Sequence, residues 1–248
     1  MSAYNIFSHF YDILTYDVNY KTRAKYLINI FKEKDKVPSL LLDFACGTGS
    51  FSTEFAKMGI DVIGVDMSEN MLAEAQQKNS KLKNPVLYLC QKGSELDLYG
   101  TVDGAVSCLD SLNHIIDYEE LWETIKKISL FLEKDRLFVF DLNTPYKHRE
   151  VLAGKTFRIK RKGVDCVWSN RAIDENTIEI NLNFSYKTGL FSKENISESF
   201  LERAYTEKEI ETALEEVGFK IEAVYGENTY LPPRENSQRN IYVARKVK

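Results

Sequence analysis

The chain has 248 residues, of which 44% are hydrophobic and 28% are charged. This composition is typical of a globular protein and excludes disordered, collagen-like and disulfide-framework chains. The formal net charge is -4 and the sequence has no dense Lys/Arg block, so we expect no nucleic-acid partner. The four cysteines lie far apart without a C-x-x-C pair, which predicts reduced thiols and no metal site.

Targeting and membrane signals are the next class to consider. The N-terminus lacks the basic-then-apolar pattern of a signal peptide, and no apolar run approaches the length of a membrane span. We therefore expect a cytoplasmic protein without a membrane partner, present as a monomer or a homodimer.

The first predicted unit, residues 1–36, is an N-terminal helical cap, because Phe7, Tyr11 and Leu14 are spaced to share one helical face. Short apolar runs then alternate with segments of helical spacing. This alternation predicts an α/β fold with a Rossmann-like, doubly wound and mostly parallel sheet of seven strands, the last antiparallel. The predicted strands are 40–44, 62–65, 86–89, 102–109, 137–140, 219–225 and 241–246.

A different periodicity occupies residues 155–202, where apolar and polar residues alternate as in half-buried strands. The pattern predicts a small antiparallel β lid subdomain, 151–205, inserted into the sheet domain formed by 37–150 and 206–248. Helical spacing returns after Thr206, which with Glu209 predicts a capping box, and Gly218 is expected to end that helix.

Chemistry is concentrated in the turn after the first strand, residues 43–49, which read DFACGTG. Gly47 and Gly49 lack Cβ atoms, so the chain can turn sharply and a ligand can approach the backbone. Asp66 ends the next strand, about 20 residues further on, where an acid in this fold binds ribose hydroxyls.

Two ligands suit that arrangement, a dinucleotide or S-adenosylmethionine. The dinucleotide fingerprint needs a third glycine, but Ser52 stands at that position. A diphosphate would also meet the Asp43 carboxylate, which would instead attract the ammonium group of a methionine moiety. The residues therefore favour S-adenosylmethionine.

These segments resemble the first two motifs of the class I S-adenosylmethionine-dependent methyltransferases. The similarity includes residues 41–50 and 65–72, and extends to 108–114 after the fourth strand and 140–143 in the fifth. The resemblance implies that Asp43 holds the methionine amino group, Asp66 the ribose and Met67 the adenine face. It also implies cofactor contacts from Ala45, Gly47, Gly49, Leu109 and Asp110, and from Gln91, Lys92 and Gly93 where relatives usually carry an adenine-binding acid.

Methyl transfer is accelerated mainly by proximity and orientation, so dedicated acid-base residues are not required. If the acceptor must lose a proton, the candidates are Tyr11 and His114. Both positions also resemble residues by the reacting centre of nucleotide-sugar N,N-dimethyltransferases. Structural roles for both, as cap packing for Tyr11 and as a capping or supporting group for His114, are equally open, whereas His9 and His148 are expected at the surface.

Three functions follow from these observations. The first is methyl transfer to a nitrogen or oxygen atom of a small-molecule acceptor, with the inserted subdomain selecting that acceptor. The second is modification of RNA or protein, which would call for a basic rim around the pocket that the sequence of this acidic chain does not indicate. The third is a regulatory domain that binds the cofactor without turnover.

Overall fold

The computed structural model describes residues 4–187 and 192–248. In this part of the chain, six α-helices, three short helical turns of other types and eleven strands follow one another. The helices are α1 (Tyr4–Leu14), α2 (Tyr20–Lys34), α3 (Ser50–Lys57), α4 (Glu69–Asn79), α5 (Tyr118–Phe131) and α6 (Glu207–Glu216). The strands are β1 (Leu40–Phe44), β2 (Asp61–Asp66), β3 (Leu87–Cys90), β4 (Gly104–Ser107), β5 (Leu137–Asn143), β6 (Thr156–Arg161), β7 (Val164–Ala172), β8 (Thr177–Lys187), β9 (Lys193–Arg203), β10 (Phe219–Gly226) and β11 (Arg239–Lys246).

Seven of the strands form one sheet in the order β10-β11-β5-β4-β1-β2-β3. Strands β1 to β5 pair with one another in parallel, whereas β11 is antiparallel to both β5 and β10. This topology confirms the predicted Rossmann-like sheet with an antiparallel last strand. The carboxyl ends of β1, β2, β4 and β5 therefore meet at one edge, where ligands bind in folds of this class.

Helices cover both faces of this sheet. Successive strand side chains point to opposite faces, so Leu41 packs with Phe55 of α3 in one core while Leu42 packs with Ile125 of α5 in the other. Helix α2 adds Phe31 to the first core, and α6 belongs to the second. Because both faces are buried, the central strands are continuously apolar, which is why their runs could be recognised in the sequence.

The other four strands form an antiparallel sheet in the order β6-β7-β8-β9. This confirms the predicted inserted antiparallel sheet. Its buried face carries Cys166, Ile180 and Phe184, which pack against Phe10 of α1 and Leu152. The predicted turn residue Gly189 lies outside the described residues.

The N-terminal segment 1–36 contributes two helices to different cores: α1 packs on the inserted sheet and α2 on the seven-stranded sheet. The domain division made from the sequence stays a prediction. Helix α6 begins with the expected capping box, in which Thr206 and Glu209 exchange hydrogen bonds. Across 4–187 and 192–248, no helix combines the length and the apolar content needed to cross a membrane.

Candidate active site

The loop after β1 is held in an unusual backbone conformation. Ala45 and Gly47 both have a φ of 54°, and Gly49 has a φ of 68°. The N–H of Cys46 donates to the Val65 carbonyl at 2.9 Å, which fixes the loop beside the end of β2. A left-handed conformation is costly for alanine, and such strain is typically retained at binding sites.

The two glycines of this loop serve different purposes. A Cβ atom on Gly47 would meet no heavy atom within 4 Å, so the absent side chain leaves open space in a cavity that Gly47 lines. A Cβ on Gly49 would collide with the Tyr88 hydroxyl and lie 2.9 Å from the Ala75 side chain. Gly47 therefore opens the loop to a ligand, whereas Gly49 allows close packing against β3 and α4.

Asp43 is the acid near the end of β1. Its surface is only 1% exposed, and the Ser52 hydroxyl donates to its Oδ2. Burial raises the pKa of Asp43 to about 7; the Ser52 hydrogen bonds oppose the rise, and the charge of Asp66 adds to it. A buried carboxylate is costly without a cationic partner, so the ionised form of Asp43 favours a positively charged ligand.

Asp66 ends β2 and supports the same loop. Its Oδ2 accepts from the Gly47 N–H at 2.8 Å, and its Oδ1 accepts from the Ser68 N–H at 2.9 Å. Burial raises the pKa of Asp66, although these N–H groups and His114 counteract the rise. Each carboxylate oxygen retains a second lone pair for a ligand hydroxyl. The following residue, Met67, is 71% exposed and offers apolar surface beside the acid.

A small cavity lies between this loop and α1. Tyr11 of α1, Asp43 and Leu109 are among its lining residues. Burial raises the pKa of Tyr11 well above its usual value, and Tyr20 and Asp110 raise it further. The phenol is therefore protonated near neutral pH, which makes it a hydrogen-bond donor and unsuited to act as a base.

Helix α1 is tied to the loop after β1, residues 45–49, which is called the cofactor loop below. The tie consists of four polar side chains, here called the α1 latch: Asp12, Thr48, Ser50 and Lys78. The Asp12 carboxylate accepts from the Thr48 hydroxyl at 2.7 Å and from the Ser50 hydroxyl at 3.2 Å. Lys78 of α4 pairs with Asp12 at 2.5 Å and donates to the Thr48 hydroxyl at 2.9 Å. The latch closes α1 over the open side of the loop.

Two further strained residues follow β4, namely Leu109 with a φ of 58° and Asp110 with a φ of 55°. Asp141 of β5 accepts from both of their N–H groups, at 2.8 Å and 2.6 Å. Arg239 of β11 pairs with Asp141 and, at 3.0 Å, with Asp110. Burial would raise the pKa of Asp110, but the charges of Arg239 and Lys147 outweigh it and lower that pKa.

The turn after β3, where adenine recognition was expected, makes contacts within the protein. The Gln91 amide donates to the Asp97 carbonyl and accepts from the Asp97 N–H, both at 3.0 Å. Lys92 pairs with Glu120 at 2.9 Å. At Gly93, a Cβ atom would be crowded by neighbouring side chains at 2.7 Å. The side chains of Gln91 and Lys92 are thus already engaged within the protein, and Gly93 allows close packing against its neighbours.

A second group of side chains lies beyond the ends of β4 and β5 and is called here the Glu202 cluster. Glu202 of β9 is 4% exposed. Asn143 donates from Nδ2 to Glu202 Oε2 at 3.2 Å and to Asp110 Oδ2 at 2.5 Å. The Nε2 atom of His148 lies 3.5 Å from Glu202 Oε2, and that of His114 lies 3.8 Å from Glu202 Oε1.

Asn113 fixes the position of this cluster. The side chain is fully buried, and its Oδ1 accepts from the Asn143 N–H at 2.9 Å. Its Nδ2 donates to the Arg203 carbonyl at 2.8 Å. Since Arg203 follows Glu202 on β9, Asn113 joins the inserted sheet to the end of β5 beside Glu202.

Most of the residues predicted from the sequence lie at this one edge of the sheet. The residues around the loop after β1 are Tyr11, Asp43, Ala45, Gly47, Gly49, Asp66, Met67, Leu109, Asp110 and His114. Those in the turn after β3 are Gln91, Lys92 and Gly93. Among the described residues, no group of three or more His, Cys, Asp and Glu side chains could hold a metal ion.

Sequence reasoning missed most side chains of the Glu202 cluster and those next to it. Asp141 and Asn143 lie in the segment 140–143 that the resemblance already singled out, so a signal for them existed. Lys147, Glu202 and Arg239 had none. His148 was expected at the surface, and this was wrong, because its side chain is 1% exposed and its Nδ1 lies 3.1 Å from the Asn176 carbonyl oxygen.

The loop residues fit S-adenosylmethionine. Asp43 is buried and Asp66 is half-buried, and burial raises the pKa of both. A ligand with an ammonium group and ribose hydroxyls would satisfy both acids. The free space at Gly47 lets such a ligand lie against the backbone. In this arrangement, Asp43 would hold the amino group and Asp66 the ribose.

Comparisons with known proteins show the family of the chain. A family model described as a methyltransferase domain matches residues 41–135. The chain is 31% identical to the Bacillus subtilis protein YqeM, whose name gives it as a methyltransferase, over 99% of this chain and 98% of that protein. The crystal structure of a S-adenosylmethionine-dependent methyltransferase from Clostridium acetobutylicum is 29% identical, covers 100% of both chains and superposes with a TM-score of 0.89.

A further solved structure shares the fold alone. The sugar N-methyltransferase KedS8 from a Streptoalloteichus species is 18% identical, with a TM-score of 0.79 over 96% of this chain and 93% of that one. Its similarity includes the inserted sheet as well as the main sheet, since it extends over nearly the whole of both chains.

Proposed function

The chain belongs to the class I S-adenosylmethionine-dependent methyltransferases, and we propose that it methylates a nitrogen or oxygen atom of a small-molecule acceptor. The observation that carries this proposal is the enclosure of the site. Helix α1 is latched over the cofactor loop through Asp12, and the inserted sheet is joined to the end of β5 beside Glu202. An acceptor must enter between these covers, which favours a small molecule over RNA or a protein.

Asp43, Asp66 and the loop backbone at Ala45 and Gly47 are the proposed cofactor-binding groups. When bound, S-adenosylmethionine supplies a methyl group on a sulfonium centre, and the neutral thioether leaves after transfer. Leu109, which lines the cavity, would border the methionine end. The left-handed turn at Leu109 is fixed by Asp141, so this side of the site is preorganised before the ligand arrives.

The acceptor would lie beyond Leu109, between Tyr11 and His114. Tyr11 provides a protonated hydroxyl that can orient the acceptor atom. His114 is 46% exposed in its side chain and can pass a proton to solvent. The main contribution to the rate is then the positioning of the acceptor atom, which can supply a large part of the barrier reduction.

Charge and similarity support the same conclusion. The Glu202 cluster and the residues next to it contain three carboxylates and two cationic side chains: Asp110, Asp141 and Glu202, and Lys147 and Arg239. This charge balance does not favour binding of a nucleic-acid phosphate backbone. KedS8, which shares the fold, is described as a sugar N-methyltransferase, and the four cysteines, all free, suit a reducing compartment such as the cytoplasm.

The test has two stages. Calorimetric titration with S-adenosylhomocysteine, with NAD as the control, should give micromolar binding for the former alone. Incubation with S-adenosylmethionine and a panel of amino sugars, small amines, phenols and acids should then produce S-adenosylhomocysteine above the background without acceptor. Turnover on RNA or protein substrates, with none on the panel, would contradict the proposal.

A further inference from the structure

We propose that Glu202 binds the amino group of the acceptor, so that the enzyme methylates an amine; this inference rests on the proposed function. Glu202 is connected to the wall of the cofactor cavity through two other residues. Leu109 lines that cavity, Asp110 follows it, and the Asn143 amide bridges Asp110 and Glu202. Glu202 therefore lies beyond Leu109, on the side of the cavity where the acceptor is proposed to bind.

The first argument is the state of the Glu202 carboxylate. It is almost fully buried, and its ion pairs within the described residues involve only the imidazoles of His114 and His148, which are charged only when protonated. Oε2 accepts from Asn143, whereas Oε1 accepts no hydrogen bond from the part of the chain that the structure describes. A buried carboxylate with one oxygen free is costly unless a cation completes it.

His148 adds to this imbalance. Its Nδ1 faces the Asn176 carbonyl at 3.1 Å, and since a carbonyl can only accept, Nδ1 carries the hydrogen. Its Nε2 lies 3.5 Å from Glu202 Oε2 and has no hydrogen-bond partner among the described residues. The polar groups at this buried place are thus incompletely paired, which favours a ligand that supplies hydrogen-bond donors.

The second argument is the aromatic wall beside Glu202. The ring centroid of His114 lies 5.1 Å from that of Phe200, which lies 6.1 Å from that of Phe7. Phe7 in turn contacts Tyr11 edge-on, with centroids 5.7 Å apart. These four rings extend from the cofactor cavity to the carboxylate. Aromatic faces next to an acid attract alkylammonium groups through cation–π interactions.

An ammonium group must lose one proton before its nitrogen can attack. Glu202 Oε1 accepts that proton, which leaves a neutral amine beside a neutral carboxyl group. The nitrogen lone pair then forms the new N–C bond as the C–S bond breaks, with the electron pair remaining on sulfur. The carboxyl proton then returns to solvent on the side of His114, whose half-exposed ring has its Nε2 atom 3.8 Å from Glu202 Oε1.

The sharpest test compares two probes that differ in one heteroatom. Cyclohexylamine and cyclohexanol are titrated into protein saturated with S-adenosylhomocysteine, and binding is followed by ligand-detected NMR. We expect the amine to bind about tenfold to 100-fold more tightly, the range for a hydrogen bond to a charged group. Glu202→Gln should abolish this preference and leave S-adenosylhomocysteine affinity within about twofold of the wild type.

Glu198→Gln is the matched control, because Glu198 is a buried acid on the same face of β9, four residues earlier. The control should keep the amine preference. Equal binding of the two probes by the wild type, or a preference that survives in Glu202→Gln, would overturn the inference while leaving the proposed function intact. Failure of S-adenosylhomocysteine to bind would instead overturn the proposed function.

Thermal unfolding separates a binding role for Glu202 from a structural one. If the carboxylate awaits a ligand cation, Glu202→Gln should leave the unfolding midpoint of the ligand-free protein unchanged or raise it. A midpoint lowered by more than about 5 °C, which for a chain of this size is more than about 1 kcal/mol, would mean that Glu202 stabilises the fold and would refute the assignment.

Discussion

Cofactor affinity should depend on pH through Asp43. Burial raises the pKa of this carboxyl group from its ordinary 3.8 to about 7, and only the ionised form pairs with the ammonium group of the cofactor. The apparent dissociation constant is the intrinsic one divided by the ionised fraction. Relative to pH 8, S-adenosylhomocysteine should bind about tenfold more weakly at pH 6 and about 100-fold more weakly at pH 5.

Calorimetry in buffers of different ionisation enthalpy measures both the affinity and the protons released. Near pH 6 about one proton should leave per ligand bound, and near pH 8 this release should vanish. In Asp43→Asn the affinity should be weak at every pH, because a neutral amide replaces the titrating group. A wild-type affinity that stays constant from pH 5 to pH 8, without proton release, would refute the reasoning.

The same pKa has the opposite consequence for the ligand-free protein. Because the folded-state pKa of Asp43 exceeds its ordinary value of 3.8, folding takes up a proton between about pH 4 and pH 7. The contribution of Asp43 to stability is therefore lost as the pH rises through this window. Without ligand, Asp43→Asn should raise the unfolding midpoint at pH 8, which differential scanning calorimetry measures; a lowered midpoint would contradict this.

Three further predictions concern single side chains. Asp66→Ala should weaken S-adenosylhomocysteine binding about 100-fold or more, since two hydrogen bonds to a charged acceptor are worth about 3 kcal/mol or more together; unchanged calorimetric affinity would rule out the ribose assignment. Asp12→Asn removes the 2.5 Å ion pair with Lys78 and should increase the dissociation rate of S-adenosylhomocysteine several-fold, as measured by stopped-flow displacement. An unchanged dissociation rate would contradict the role of the α1 latch. Asn113→Ala should lower the free energy of unfolding in urea by about 2–4 kcal/mol, because buried partners are left unpaired. The control Asn236→Ala, at an exposed position, should change it by less than about 0.5 kcal/mol.

The sheet could be predicted because its signals are local. Strand β1 matches the predicted range 40–44 residue for residue, since a strand buried on both faces is mainly apolar. The capping box at Thr206 is likewise encoded within four residues. Similarly, the acids Asp43 and Asp66 stand at strand ends, where the fold places ligand-binding groups.

The Glu202 cluster could not be predicted, because its members come from distant segments without a shared pattern. Asn143 and Glu202 are 59 residues apart, and Asp110 and Arg239 are 129 apart. The error at His148 has a local cause. His148 lies in a π-helical turn, Lys147–Leu152, and such turns are too rare to be expected from the sequence.

Helix α1 has one consequence for how the two ligands influence each other. Phe10 belongs to the core of the inserted sheet, while Asp12, two residues later, holds the cofactor loop. Because α1 is a rigid helix, a displacement of the cofactor loop on cofactor binding also moves the inserted sheet beside the acceptor, and the reverse. Binding free energies linked in this way are reciprocal: by whatever factor S-adenosylhomocysteine tightens acceptor binding, the acceptor must tighten S-adenosylhomocysteine binding by the same factor.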